Sequence, residues 1–408
     1  MIKVWLMGDG PVRLWGLDGR TRLQRQLKSL GNPEVVQEWS ALAGADHVLL
    51  VRMDHVFELR ALSSLLAQTG VLMADGRPAA AHVPVAKAEA ARIQLEGGEA
   101  SITRLSVEGL NAYAVELRKA EPPLVAQVSA ENCDALESRL YGGSYKGVTD
   151  FVTKWWWPRP ARVGVKIAAS LGLTPNMVTL TGVTLMVIAS WAFFSGYYFL
   201  GLACGWFMTF LDTVDGKLAR VTVQSSRMGH WLDHGMDIVH PPFWYWCWGL
   251  SLVNPAINSL GSLGSLGSLG SPGNYVAPFG LDMNGMVVAV FAGYIGGRLV
   301  EAAFHALGPI GLFAWRPFDA YFRLFTARRN PCLVLLTLGW LVGSPALGFE
   351  LVVGWSVLST CILLLRLFYA AGVRLTGGPL TSWLADPSSK VRYPRAHATF
   401  SATRSAYN

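Results

Sequence analysis

The sequence predicts an α-helical integral membrane domain of six transmembrane helices, preceded by a small α/β domain. Hydrophobic residues fill 52% of the 408 positions and charged residues only 15%, which is too apolar for an ordinary soluble chain and long enough for two domains. The apolar excess is uneven: residues 1 to about 140 carry charge at soluble density, whereas long apolar stretches recur from about residue 175. Many of these approach the roughly 20 residues a helix needs to cross a bilayer.

In the first part, Lys3 to Met7 and Val48 to Arg52 read as buried strands, and Thr21 to Leu30 and Glu58 to Gln68 have helical apolar spacing, the rhythm of an α/β layer domain. The predicted membrane spans are 176–195, 197–219, 229–253, 284–307, 331–347 and 350–372. Lys and Arg near helix ends favour the cytoplasm. Lys154, Arg159, Arg162 and Lys166 precede the first span; Lys217, Arg220 and Arg227 follow the second; Arg316, Arg323, Arg328 and Arg329 follow the fourth. Residues 254–283 hold only Asp282 as a charge, and 344–349 hold none. Both termini therefore come out cytoplasmic, and a bacterial source would place the protein in the inner membrane.

The expected domains are 1–140, a cytoplasmic α/β head; 141–174, a linker with an interfacial helix; 175–375, the membrane body; and 376–408, a cytoplasmic tail. Trp155, Trp156 and Trp157 beside Lys154 and Arg159 combine aromatics and positive charge as a helix in the membrane interface does. The tripeptide repeat SLGSLGSLGSLGSPG at 259–273 has linker composition. Met1 to Gly10 lacks the basic flank and apolar run of a signal peptide. Five scattered cysteines show no ligand or pairing spacing. A net charge of +7 without a basic stripe of interleaved aromatics points to membrane lipids rather than nucleic acid.

Two acidic pairs stand at span ends. Asp212 and Asp215 are three apart, Asp233 and Asp237 four apart, so each pair projects from one helix face. An ionisable group at membrane depth costs about 2.5–3.5 kcal/mol on insertion scales, so it faces a cavity, a partner or a cation. Four oxygen-only side chains suit a hard divalent ion: magnesium first, with manganese and calcium as alternatives. Two ions held by shared carboxylates could bind a diphosphate and orient an attacking oxygen. Gly216 and Ala219 leave room beside the same helix, and Arg220 can clamp a phosphate.

The stretch DTVDGKLARVTVQSSRMGHWLDHGMD, Asp212 to Asp237, resembles the signature of the CDP-alcohol phosphotransferase family at every specified position. The resemblance implies a six-helix membrane enzyme in which Asp212, Asp215, Asp233 and Asp237 hold two magnesium (or manganese) ions. Asp237 would also be the base that activates the acceptor hydroxyl. Gly216, Ala219, Arg220 and Gly229 would line the CDP site, joined by Asn176 of the segment LGLTPNMVT, which resembles the start of the family's first membrane helix. As structure alone, Thr174 and Pro175 are an N-cap and a first-turn proline. The implied reaction passes a substituted phosphate, expected to be phosphatidyl from CDP-diacylglycerol, to a polar alcohol acceptor, with CMP leaving; a homodimer is also implied. Arg298 and Arg366, embedded in spans, are candidates for an anionic acceptor or for structural ion pairs. His230, His234 and His240 stay outside the ligand set.

The head resembles a shortened nucleotidyltransferase of the sugar-phosphate type, through GLDGRTRLQRQLKSLG at 16–31 and LLVRMDHVFE at 49–58, where Asp54 follows a strand. It departs from that family in its phosphate loop, reduced to GDGPVR at 8–13, and in lacking the downstream lysine and second aspartate. A degenerate binding or scaffolding head is the expectation. The alternative is a bifunctional enzyme that makes and uses a soluble CDP-alcohol such as CDP-inositol. A third reading, a cation transporter, accounts for the carboxylates but not for the glycines and Arg220 at their spacing.

Overall fold

The computed structural model describes residues 1–110, 113–114, 117–224, 227–253 and 282–401, without the side chains of 227, 228 and 230–234. The repeat at 259–273 lies outside the described residues. The molecule is mostly helical, with an N-terminal α/β region.

The head is built on β1 (Ile2–Met7), β2 (Glu34–Val35), β3 (His47–Arg52), β4 (His55–Phe57), β5 (Gly70–Ala74), β6 (Arg77–Pro84) and β7 (Arg104–Ser106). Its six-stranded sheet has the order β2-β1-β3-β6-β5-β7. β1 runs parallel to β2 and β3, and β6 antiparallel to β3 and β5. Helices α1 (Gly19–Ser29) and α2 (Leu59–Leu66) cover one face and α3 (Ala88–Leu95) the other. Alternation decides which residue goes where: Leu49 and Val51 join Leu23, Leu27 and Leu62, whereas Val48 and Leu50 join Ala91 and Leu95. Both predicted strands and both predicted helices are present. Beyond them, Val125–Gln127 pairs with β4, and α4 (Cys133–Gly143) leads toward the membrane body.

Helix α5 (Pro158–Ser170) buries Ala161, Val165 and Ala168 and turns Val163 and Ile167 outward, with Trp155 and Trp156 exposed just ahead of it. That face has the composition expected at a membrane interface. Next come α6 (Pro175–Phe194), α7 (Tyr198–Val221), α8 (Arg227–Val253), α9 (Met283–Leu307), the short α10 (Pro317–Phe325), α11 (Arg329–Leu341) and α12 (Pro345–Leu375). Long helices thus fall at the six predicted places, but among the described residues only α6, α9 and α12 are long and apolar enough to cross a membrane. α7 carries Asp212, Asp215, Lys217 and Arg220 in its C-terminal half. The expected fifth span, 331–347, is corrected: α11 has 13 residues, about 20 Å at 1.5 Å per residue against a core of about 30 Å.

The break between the last two helices also falls earlier than expected, at Val342 to Ser344 rather than 344–349. Gly343 has φ +77°, Ser344 caps α12 by accepting from Leu347 N, and Pro345 takes the first helical position. The two helices then touch backbone to backbone, since a Cβ on Gly339 would lie 2.3 Å from Gly348 Cα. Packing of α6, α7, α8, α9, α11 and α12 makes one core around Trp244, Trp248, Phe193, Tyr294, Leu336 and Phe349.

The tail is folded against the body as far as residue 401. Leu380, Trp383, Leu384 and Phe400 are buried with Phe304, Phe313 and Trp315, and Ala120 N of the head donates to Ser401 O at 2.9 Å.

Gly339→Val should destabilise the detergent-solubilised protein by about 1–3 kcal/mol through overpacking at this crossing. A fall in Tm would show it, and an unchanged Tm would mean that the two helices do not meet there.

Candidate active site

α7 ends in the first half of the signature, and its apolar face keeps the helix intact while the polar residues share another face. Val214, Leu218 and Val221 pack against α5, Trp15 and Tyr141, leaving Asp212, Asp215, Gly216 and Ala219 to neighbouring positions. Asp215 is buried, and its Oδ2 accepts from Thr179 Oγ1 of α6 at 2.6 Å. Among the described residues, an added Cβ on Gly216 would meet only Arg220 Nη1, at 3.6 Å. The described packing therefore does not demand glycine there, which suits a ligand that approaches the backbone. Arg220 Nη1 donates to Gly216 O at 3.0 Å.

Asp212 and Asp237 are brought to one point. Arg329, which opens α11, donates from Nη2 to Asp212 Oδ2 at 2.5 Å and from Nη1 to Asp237 Oδ1 at 2.7 Å. A single guanidinium thus spans two carboxylates from different helices, in the fork geometry arginine favours. The Asp237 carboxylate remains 44% exposed, against 25% for Asp212, so Asp237 is the more accessible to an incoming substrate. Tyr294 of α9 fixes the backbone beside it, donating its hydroxyl to Asp237 O at 3.0 Å, while Arg298 Nη2 donates to that hydroxyl at 3.1 Å.

The side chain of Asp233 lies outside the described residues, as do those of His230 and His234. Among the described residues no group of three His, Cys, Asp or Glu side chains is close enough to hold a metal. The donor set nonetheless fits a hard cation: its described members are all carboxylates, and two of them share one positive group. Asn176 lies in the first turn of α6, below the Thr174 cap, and Gly229 in the first turn of α8. His240 points its Nδ1 at Met236 O in its own helix and packs edge-on against Trp244, a placement suited to structure rather than ligation.

Sequence reasoning listed Arg329 only among cytoplasmic anchors. A signal existed: two arginines at a helix N-terminus oppose the helix dipole, and such a placement asks for carboxylates nearby. Arg328 finds one in Glu301, whose other neighbour is Arg298 at 4.0 Å. Arg366 is a structural ion pair. It donates to both oxygens of the fully buried Asp319 at 2.6 and 2.9 Å and lies over Trp315 and Tyr369.

Residues 172–259 match the family model of CDP-alcohol phosphatidyltransferases. These residues carry a CDP-alcohol phosphatidyltransferase domain. The chain is 42% identical over 79 residues to the archaetidylinositol phosphate synthase of Pyrococcus horikoshii, covering 19% of this chain and 40% of that protein. It is 37% identical over 81 residues to the phosphatidylinositol phosphate synthases of Mycobacterium bovis and Mycobacterium tuberculosis, covering 19% of this chain and 37% of each. The chain thus spans about two fifths of the length of the curated relatives it matches. Together with three apolar helices of spanning length among the described residues, this match points to an integral membrane protein.

In the head, Asp54 is fully engaged. Arg52 donates to both its oxygens at 3.0 and 2.7 Å, Gln127 Nε2 to Oδ2 at 3.1 Å, and His55 Nδ1 lies 2.7 Å from Oδ1. Burial alone would raise its pKa, but the bonds from Arg52 and His55 outweigh that and hold the carboxyl well below the usual range.

Arg329→Met would leave two carboxylates facing each other and should cost about 1–3 kcal/mol of stability, read as a lower Tm, with Arg329→Lys restoring only part because an ammonium lacks the fork. Asp54 contributes stability that is present above its unfolded pKa of about 4 and lost as pH falls through its lower folded value. Asp54→Asn should therefore be less stable than wild type at pH 7, and the gap should close in acid; a gap independent of pH would show that the carboxylate charge is not what matters.

Proposed function

We propose that the chain is a CDP-alcohol phosphotransferase of phospholipid synthesis, passing the phosphatidyl group of CDP-diacylglycerol to a phosphorylated polyol and releasing CMP. The observation that carries this reading is the meeting of Asp212 and Asp237 at one point, from two helices that hold the complete signature. In the reaction an acceptor oxygen bonds to the phosphorus next to the lipid, the bond from that phosphorus to the bridging oxygen breaks, and CMP keeps that oxygen.

Each side chain has a duty in this scheme. Asp237, the more exposed carboxylate, takes the proton of the acceptor hydroxyl. Gly216, Ala219, Arg220, Gly229 and Asn176 receive the CDP moiety, with Arg220 pairing to phosphate. Magnesium or manganese held by Asp212, Asp215, Asp233 and Asp237 would supply charge neutralisation at the diphosphate. Arg298, Arg328 and Arg329 around Asp237 give that side of the site a positive field suited to an anionic acceptor. The relatives are named for inositol phosphate lipids, which supports an inositol phosphate as that acceptor.

Positive charge before the first helix and between α9 and α11 supports a cytoplasmic site and cytoplasmic termini. The six-helix bundle stays part of this proposal, with α7, α8 and the short α11 packed against α6, α9 and α12. The head is read as a scaffold: Arg52, His55 and Gln127, the three partners of Asp54, all come from the head itself, which favours a structural carboxylate over a catalytic one and disfavours a bifunctional enzyme.

Purified protein with CDP-diacylglycerol, a divalent metal and a panel of acceptors tests this by CMP release. Asp237→Asn should lower release by about 10²–10⁴-fold while nucleotide binding stays measurable; normal release by that variant would refute the base assignment. Silence with every acceptor, alongside activity from CTP and a phosphorylated polyol, would replace this reading with the bifunctional one.

A further inference from the structure

The last turn of α7 is finished partly by the residues that follow it and partly by the head. A helix leaves its final carbonyls without intrahelical partners, and here each can be followed. Leu218 O accepts from Thr222 N at 2.9 Å, Ala219 O from Gln224 N at 2.8 Å, and Arg220 O from Val223 N at 3.4 Å, with Val223 at φ +49°. Val221 O accepts from Arg22 Nη2 of α1 at 2.9 Å, and Thr222 O from Arg25 Nη1, one turn further along α1, at 2.7 Å. The same Arg22 nitrogen also donates to Leu14 O at 2.8 Å, so one guanidinium staples the head's loop to the helix end.

The setting makes this more than a surface contact. Arg22 is 4% exposed, and Trp15 beside it packs with Val214, Leu218 and Val221. Burial pushes the Arg22 guanidinium down to about 10, which still leaves it charged at neutral pH. Two cations at the C-terminal end complement the helix dipole. Lys217 anchors the preceding turn, donating to Ser144 O at 3.2 Å with its ammonium 3.7 Å above the Tyr145 ring. Ala219 and Arg220, the last two signature positions on α7, lie between these two anchors.

We infer that Arg22 and Arg25 are positioning residues for the nucleotide donor: by capping Val221 and Thr222 they fix the turn of α7 that presents Ala219 and Arg220. The head then acts on the membrane site without containing any of its chemistry. This inference rests on the reading of α7 as the CDP-binding helix.

The test uses the full chain in detergent or nanodiscs, with Arg25→Met and the double variant Arg22→Met/Arg25→Met. Hydrogen exchange of the 219–224 amides should rise by about tenfold in the double variant and less in Arg25→Met, as expected for a lost cap. KM for CDP-diacylglycerol should rise about five- to tenfold with kcat and the acceptor KM nearly unchanged, and Arg25→Lys should recover most of the Arg25→Met loss. Unchanged exchange and donor KM in Arg25→Met, whose site is only partly buried and should tolerate the change, would overturn the inference. A wild-type chain that releases no CMP would instead overturn the function reading, and the exchange result would still decide whether the clamp exists.

Discussion

Carboxylates that leave an apolar helix must find positive charge, and the architecture of this membrane body follows from how that need is met. Asp212 on α7 and Asp237 on α8 share the guanidinium of Arg329 at the start of α11. Three helices are thereby tied at one level. The arrangement explains why α11 can be short: its N-terminal end is held by ion pairs, and its other end by the glycine contact with α12, so it needs no full span of apolar surface. The same need recurs nearby, where Glu301 sits between Arg298 and Arg328 and Asp319 is gripped by Arg366. These pairs differ in consequence. Arg366 and Asp319 are enclosed by aromatic rings and serve the fold, whereas Asp237 keeps much of its surface open to solvent.

Around this centre the signature's residues have divided loyalties. Asp212 and Asp215 turn toward α11 and α6, through Arg329 and Thr179. Lys217, Leu218 and Val221 turn toward the head and α5. A single helix thus serves as the wall of a polar site on one side and the docking strip for a soluble domain on the other. The head's own sheet is complete without the membrane, but its Leu14 to Arg25 segment is used twice, once to cover α1 and once to finish α7.

Much of this was legible in the sequence, and the reasons differ from element to element. The ends of α6 to α9 were predicted within about two residues because apolar runs stop where charge or glycine begins. The four aspartates stand out in the sequence because their spacing and their apolar context conflict with a solvated role for all four, and the structure brings Asp212 and Asp237 to one guanidinium. The boundary between α11 and α12 was misplaced because both helices and the turn between them are apolar; the Ser-Pro step at 344–345 carried the capping signal, which hydropathy cannot register. Arg329 was undervalued for a related reason. Loop arginines are ordinarily topological anchors, and only the three-dimensional approach of two other helices makes this one a bridge. The buried tail, with Trp383 and Phe400 far from one another in sequence and jointly packed on Phe304 and Trp315, has no periodic signature at all.

The head shows how a soluble domain can be tied to a membrane helix by geometry. Its Asp54 is neutralised by Arg52, its loop is short, and Gly10 and Gly19 are pressed so closely on Met53 O that a Cβ on either would lie 2.1 Å away. Such packing freezes the loop in place. A rigid loop is a poor moving part for nucleotidyl transfer, but it is a sound support for α1, whose first turn begins at Gly19 and whose arginines reach the membrane helix. The close packing of this loop thus stiffens the contact with α7, and a stiff contact is what an arginine needs if it is to hold another domain's helix end in register.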